Sequence, residues 1–393
     1  MTHDIRRADI TLADWRLHPA SRYSFQHVCE FVPVAMVAWP GAAEAPSPGQ
    51  AALESLVLRD RDGGRVTALA HLRRSHADHV VVMREGEIVA EWLADTADPA
   101  RPHVVFSISK SITGLLAGIA AGEGALDPDA PVSAYVPSMA GSTYATARVR
   151  DLLDMTVDLD FDEEYLDHGG AFDRYRRAML WNPEPLDGGA APETLARFLA
   201  TLGGRGSGHG RRFYYASPNS DLLGLVVERA VGMRYHRYLA ERLWNKMGAR
   251  GAAYVTVDRA GTARAAGGVC ITTRDLARIG QLVLDGGRAR DGTAVVPQGW
   301  IADMREGGDR NAWVDGNFAD MFPDGRYRSC WYDIGDGRGS IAAVGIHGQW
   351  LWADPASRVV IARTACRPAP SDDDATALEI LMLGQIARAF GEE

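Results

Sequence analysis

The chain is predicted to be an α+β protein: an antiparallel sheet flanked by helices, with a mainly helical lobe inserted into it. Two observations carry this. Alternating β-rich runs bracket tight turns near both ends of the chain, and almost every periodic segment between them has helical spacing. A third, composition, agrees: 393 residues, 46% apolar and 24% charged, are enough for a substantial core without metal or disulfide support.

In chain order, Pro40 to Gln50 (PGAAEAPSPGQ) reads as a loop between an N-terminal extension and the body. His79 to Met83 and Ile88 to Leu93 flank Arg84-Glu85-Gly86-Glu87, predicting a hairpin with glycine in the turn. Helical segments follow at Ser107 to Gly122, Val149 to Met155, Glu193 to Leu202, Asp221 to Val231 and Arg274 to Asp285. The last has Thr272 and Thr273 as caps and Gly286-Gly287 as its stop. Gly348 to Ala353 and Arg358 to Thr364 form a second hairpin around Asp354-Pro355-Ala356-Ser357. A final helix from about Asp373 to Phe390 has acids at its start and Arg388 near its end, as the helix dipole favours. Residues 156 to 190 and 304 to 327 are less regular, and long irregular connections often cover a binding site. The expected divisions are 1–55 as an extension packed on the body, 56–105 with 265–393 as the sheet domain, and 106–264 as the helical insertion.

A net charge of −9 and a pI near 5.7 leave no basic footprint for nucleic acid or anionic lipid. No apolar run approaches a membrane span, and the opening MTHDIRRADITLADWRLHPASRYS lacks the apolar core of a signal peptide, so the expected location is cytoplasmic. Cys29, Cys270, Cys330 and Cys366 are scattered and form no CxxC; the expectation is four buried free thiols in a reducing compartment.

Lysine usage points to chemistry. Among 42 basic residues only Lys110 and Lys246 are lysines. Lysine can lose its proton when buried, whereas arginine cannot. Lys246 sits near a helix end, as an ordinary solvated lysine would. Lys110 lies in Phe106-Ser107-Ile108-Ser109-Lys110, and Ile108, Ile112, Leu115, Leu116 and Ile119 follow the spacing of a buried helix. Residues three apart share a helix face, so the Lys110 amine can reach the Ser107 hydroxyl. Burial and the positive helix N-terminus disfavour an ammonium and favour an oxyanion, so the pair reads as an activated serine nucleophile. A second segment, Phe213-Tyr214-Tyr215-Ala216-Ser217-Pro218-Asn219-Ser220-Asp221, follows a glycine-rich turn and leads to a helix start at Ser217 to Ser220.

Ser107-Ile-Ser-Lys110 followed by Tyr215-Ala-Ser217 resembles the serine β-lactamase and DD-peptidase superfamily, where SxxK supplies nucleophile and lysine and a downstream tyrosine motif supplies a phenol. Asp151-Leu-Leu-Asp-Met155, Gly267-Gly-Val-Cys-Ile-Thr-Thr-Arg-Asp-Leu276 and Gly345-Ile-His-Gly-Gln349 extend the likeness from about residue 80 onward. Asp162-Glu-Glu-Tyr165 and Trp331 look like the 6-aminohexanoate-dimer hydrolases, the nylon-oligomer amidases, and the related β-lactamase-like carboxylesterases. The resemblance implies the β-lactamase/transpeptidase-like fold. It implies Ser107 as nucleophile, Lys110 as base and Tyr215 as proton relay, with backbone N–H groups of Ser107 and Ile346 as the oxyanion hole. Tyr165, Trp331, Ser217 and His347 are carried over as substrate contacts. It implies no cofactor and no metal, a small ester or amide as the partner, and a homodimer as an assembly compatible with the family.

Three departures narrow the expectation. Ser217 replaces the asparagine of the tyrosine motif, Ala343-Val344-Gly345 stands where Lys-Thr-Gly would be, and there is no Ser-Asp-Asn box. A β-lactam carboxylate would lose a cation on that strand. Ala266 has a methyl group where some nylon-oligomer hydrolases have a polar side chain, which favours esters over the aminohexanoate dimer. The expected function is a serine hydrolase of small carboxylic esters and linear amides. The alternatives are a β-lactamase or DD-peptidase-like enzyme and a non-catalytic binding protein on the same fold. A Ser-His-Asp arrangement from His347 and Asp354 has no GxSxG elbow, and His71, His76, Asp78 and His79 lack zinc spacing.

Overall fold

The computed structural model describes residues 5–41, 44, 45, 47–165, 169–185 and 192–391. The predicted 40–50 loop and the irregular 156–190 stretch therefore lie partly outside the described residues, as do residues 1–4 of the extension. Thirteen strands run in chain order among the described residues. They are β1 (Val34–Val37), β2 (Val57–Arg59), β3 (Arg65–Thr67), β4 (Ala77–Arg84), β5 (Glu87–Leu93), β6 (His103–Val104), β7 (Ala253–Thr256), β8 (Val269–Ile271), β9 (Arg326–Arg328), β10 (Trp331–Asp333), β11 (Ile341–Gly345), β12 (Gln349–Asp354) and β13 (Val359–Ala365).

Seven of them form one sheet in the order β5-β4-β13-β12-β11-β10-β9, antiparallel at every pairing. The two hairpins read from the sequence are its adjacent pairs β4–β5 and β12–β13, and β13 pairing with β4 joins the two ends of the chain. Both β12 and β13 are buried at every position, as strands covered on both faces must be. The helix Thr273–Leu284 packs on β4, β12 and β13, and the final helix Asp373–Gly391 packs on β13.

A second sheet, β1-β7-β8-β6, has no counterpart in the sequence reading. Its strands are two to four residues long, too short to show an alternating pattern, and β7 falls within the stretch read as helical insertion. It brings the N-terminal segment into the body through Val34↔Thr256 and carries the chain to Ser107. Trp15, fully buried, packs edge-on to Phe25 and Trp181 and gives its indole N–H to the Trp181 carbonyl at 3.1 Å.

The Ser107 helix (Ile108–Gly122) is buried from Ile108 through Ala120 and packs against the tyrosine helix (Ser217–Val231). The latter begins at Ser217, within the predicted start at Ser217 to Ser220 and four residues ahead of the periodic run Asp221 to Val231, because Pro218 suits the first turn of a helix. The irregular stretch contains an additional helix, Gly170–Ala178, whose arginines and tyrosine obscure its apolar stripe. Three thiols, Cys270, Cys330 and Cys366, are free and buried. Cys29 is free but exposed, contrary to expectation, because the short 3-10 turn Val28–Glu30 turns Val28 inward and leaves its neighbour outside.

Candidate active site

Ser107 stands where strand becomes helix. β6 pairs with β8 through Val104↔Cys270, the Val105 N–H donates to the Val269 carbonyl at 3.0 Å, and the Val269 N–H donates to Ser109 Oγ at 3.0 Å. Strand β8 thus grips the chain on both sides of Ser107. Between these grips Phe106 takes φ +43°, a left-handed conformation that non-glycine residues rarely adopt, and this reverses the chain into the helix. Gly345, at the end of β11, comes so close that a Cβ there would lie 2.6 Å from the Val105 carbonyl oxygen. Ile346, next in sequence, consequently faces the same cleft as Ser107.

Lys110 lies one helical turn on. Its Nζ donates to Ser107 Oγ at 2.9 Å and to the Ala266 carbonyl at 2.8 Å, and sits 4.8 Å from the centre of the Tyr215 ring. Burial lowers its pKa to about 8; Arg264 pushes the same way, while Glu163 and Asp221 favour the ammonium. Tyr215 is buried too, and burial, with Tyr332 and Glu163, holds its phenol far above the ordinary value, against the opposing effect of a hydrogen bond from Ser107. Its ring rests on Phe318 and its N–H donates to Asn317 Oδ1 at 2.9 Å. Serine, amine and phenol therefore form one cluster, with Lys110 and Tyr215 buried and Ser107 half-buried at the cleft.

Two carboxylates that the sequence reading did not single out hold this group. Asp221, fully buried, accepts from Arg264, from the Tyr175 hydroxyl and, at 2.8 Å, from the Ala266 N–H. The carbonyl of that same residue accepts from Lys110, so Asp221 fixes the segment that aims the amine. Glu163 accepts from the Tyr165 hydroxyl at 2.6 Å and from the Ser217 N–H. Asp221 lies one helical turn beyond Ser217, which is the signal that could have found it; Glu163 was visible only as part of the Asp162–Tyr165 motif.

Two cavities, about 410 Å³ and 280 Å³, share Ser107, Tyr165, Ile346, Pro370 and Ser371, and so form one cleft with two arms. Tyr165 stands at their junction, while Ser217 and His347 line the larger arm. His347 donates Nδ1–H to the Arg367 carbonyl at 2.7 Å, and burial lowers its pKa to about 4, so the ring is neutral and Nε2 is left as an acceptor. Trp331 is not brought to the cleft. It is fully buried, with its indole N–H on the Ser111 carbonyl at 3.2 Å; strand alternation turns Tyr332 to the smaller arm instead.

The rival constellations are dispersed. Asp354 is engaged by Arg338 at 2.7 Å and Ser357 at 2.7 Å, not by His347. His71 faces Glu379, His79 faces Glu91 and His103 faces Asp78 in three separate pairs. Among the described residues no cluster of three or more such side chains could hold a metal ion, and no helix is long and apolar enough to cross a membrane.

Comparison with known proteins places this geometry in context. The family model described as Beta-lactamase matches residues 64–384. The chain is 37% identical over 380 residues to a 6-aminohexanoate-dimer hydrolase of Paenarthrobacter ureafaciens, covering 97% of this chain and 94% of the relative. Among solved structures, a Bacillus anthracis chain provisionally named a 6-aminohexanoate-dimer hydrolase superposes with a TM-score of 0.88 at 22% identity, covering 98% of both chains. A family VIII carboxylesterase superposes with a TM-score of 0.53 at 15% identity, covering 80% of this chain and 96% of that one. At those identities the two structures speak for the fold alone.

Proposed function

The chain belongs to the β-lactamase family, and on that premise we propose that it is a serine hydrolase that cleaves small carboxylic esters and linear amides through an acyl-enzyme on Ser107. The observation that carries the reading is the 2.9 Å contact between the Lys110 amine and the Ser107 hydroxyl in a buried site where the lysine pKa falls to about 8. Near neutral pH a usable fraction of Lys110 is neutral and can accept the serine proton as Oγ attacks the carbonyl carbon. The N–H groups of Ser107 and Ile346 are the proposed donors to the resulting oxyanion, a contribution of about 3 kcal/mol for each donor in comparable sites.

Collapse of the tetrahedral adduct breaks the bond to the leaving oxygen or nitrogen, which takes a proton from the Tyr215 hydroxyl. Tyr215 is reprotonated by the Lys110 ammonium, leaving the amine neutral again. Water then attacks the acyl carbon as this pair takes its proton; collapse of the second adduct breaks the bond to Ser107 Oγ, which takes that proton back as the carboxylic acid leaves. Esters are the preferred class, in keeping with the methyl group of Ala266 on the wall of the larger arm. Tyr165, Ser217 and His347 are the proposed substrate contacts. The cytoplasm is the proposed compartment, a reading supported by four free thiols, one of them exposed.

The test is hydrolysis of p-nitrophenyl butyrate by wild type, Ser107→Ala and Lys110→Ala with excess chelator, and intact mass after a fluorophosphonate probe. Turnover and one covalent label in the wild type are expected, with both variants reduced by at least about 10³-fold. A folded wild type that neither turns over nor labels would point to the binding-protein alternative.

A further inference from the structure

The motif Gly345-Ile-His-Gly-Gln349 enters the proposed mechanism only at Ile346 and His347, yet the structure engages all of it. It is the turn between β11 and β12, and Ile346, whose N–H is a proposed oxyanion donor, opens it. His347 takes φ +62° and Gly348 φ +87°, two left-handed residues in succession. A side chain in that conformation persists where its surroundings over-determine it. The His347 N–H donates to the Pro370 carbonyl at 2.9 Å, and the His347 carbonyl accepts from the Arg367 N–H at 3.1 Å. The two carbonyls on either side, those of Ile346 and Gly348, are held by buried side chains that do not line the cleft.

The first is Gln349, fully buried. Its Nε2 donates to the Ala365 carbonyl at 2.7 Å and to the Ile346 carbonyl at 3.3 Å, and its Oε1 accepts from the Ala365 N–H at 3.0 Å. The pairing of β12 with β13 ends at Trp350↔Arg363, while Gln349 itself pairs with Gly345 of β11. The primary amide thus takes the place of a peptide group at the end of the ladder. It bonds Ala365 at both N–H and C=O and has one N–H left for Ile346. A carboxylate or an apolar chain of the same length lacks that combination.

The second is Arg363, 1% exposed and on the same face of β13 as Ala365. Its Nη1 donates to the Gly348 carbonyl at 2.6 Å, and its Nη2 to the Ser75 carbonyl at 2.8 Å and hydroxyl at 2.9 Å. The Glu379 carboxylate, on the final helix, lies 3.4 Å from Nη1 and offsets its charge. A planar guanidinium fixed between three parts of the chain is a rigid prop. It bears on the carbonyl two residues after the oxyanion donor.

We propose that Gln349 and Arg363 are positioning residues for the oxyanion hole: they fix the Ile346 and Gly348 carbonyls, and with them the direction in which the Ile346 N–H meets the cleft. This rests on the serine hydrolase reading. Since neither side chain lines the cleft, the effect falls on the tetrahedral adduct, whose oxygen needs that N–H in place, more than on binding of the uncharged ester.

The experiment measures p-nitrophenyl butyrate hydrolysis, and inhibition by butylboronic acid, whose tetrahedral adduct with Ser107 places an oxygen in the hole. The proteins are wild type, Gln349→Met, Arg363→Met, Arg363→Lys and Thr364→Val. Rates are divided by the number of sites labelled to completion with the fluorophosphonate probe, and thermal melts identify any variant that fails to fold. Thr364→Val is the stability control, because Thr364 lies on the opposite face of β13 and its hydroxyl meets Thr273 Oγ1 at 3.0 Å.

For the two methionine variants, kcat per site should fall about 10- to 100-fold with KM changed less than about threefold, and the boronate inhibition constant should rise by the factor that kcat/KM falls. Arg363→Lys keeps a charge beside Glu379 but replaces a two-pronged fork with one nitrogen, so its loss should lie between wild type and Arg363→Met. Thr364→Val should stay within about twofold of wild type. A folded variant at 349 or 363 with wild-type kcat per site and wild-type boronate affinity overturns the role of that residue, and equal losses in Thr364→Val overturn both. If the methionine variants unfold, Arg363→Lys decides by the same two readings. A wild type that neither turns over nor labels overturns the serine hydrolase reading, and the positioning role with it.

Discussion

Lys110 joins legibility in the sequence to chemistry in the structure at a single residue. Its rarity and its place three residues after Ser107 marked it in the sequence, and both follow from what arginine cannot do in a buried site. Burial, which lowers its pKa most, was legible in the buried helix; the charges that adjust it were not, because they lie 53 to 154 residues away in the chain: Glu163 and Asp221 on one side of the balance, Arg264 on the other. Only neutral Lys110 can accept the serine proton, so kcat/KM should fall about tenfold per pH unit below a midpoint near 8, and be about a hundredfold below its plateau at pH 6. Glu163 stabilises the ammonium; removing that charge in Glu163→Gln lowers the lysine pKa and should move the limb to lower pH. A pH–rate profile on a neutral ester checks both, and a flat profile from pH 6 to 9 would exclude Lys110 as the base.

Among the elements, the two hairpins, the Ser107 helix and the final helix were readable because each repeats a local pattern over enough residues to show its period. The strands β6, β7 and β8 were not, since two to four residues show no period and their pairing partners are remote in sequence. Trp331 was carried over from the resemblance as a substrate contact; which face of a three-residue strand meets the cleft depends on register, and β10 gives Tyr332 to it instead. The Ser107 helix also depends on a close approach no periodicity reveals. A Cβ at Gly114 would lie 2.3 Å from the Ser329 carbonyl oxygen and 3.2 Å from the Cys330 side chain, both just before β10. Gly114→Ala should therefore cost about 1–3 kcal/mol and lower activity by displacing Ser107 and Lys110 together. Gly141→Ala, where nothing lies within 4 Å, is the control. Denaturation midpoints with esterase assays check this, and equal midpoints for the two variants would refute the packing argument.

For the molecule as a whole, burial of uncharged histidines couples stability to pH. His347 has its pKa lowered to about 4 and that of His79 is also lowered, by burial in each case, from an ordinary value of 6.5. The folded protein then binds fewer protons than the unfolded chain below pH 6.5, so this stability is present above 6.5 and is lost as pH falls through the folded values. His347 alone should account for about 2 kcal/mol of lost stability between pH 7 and pH 5. Denaturant midpoints at the two pH values, for wild type and His347→Gln, measure it; the same pH dependence in both proteins would remove His347 as the cause.

The sequence by itself determined the α+β class, the helix that begins at Ser107, the serine–lysine pair and the tyrosine segment, because each is written in residues within a few positions of one another. Tertiary structure decided what surrounds them: the short sheet that grips Ser107 from both sides, the carboxylate of Asp221 behind Ala266, and the larger arm of the cleft, assembled in part from residues 16, 176 and 264. Those depend on segments meeting from distant parts of the chain, where the free energy of burial and pairing is shared among contacts that no local pattern encodes.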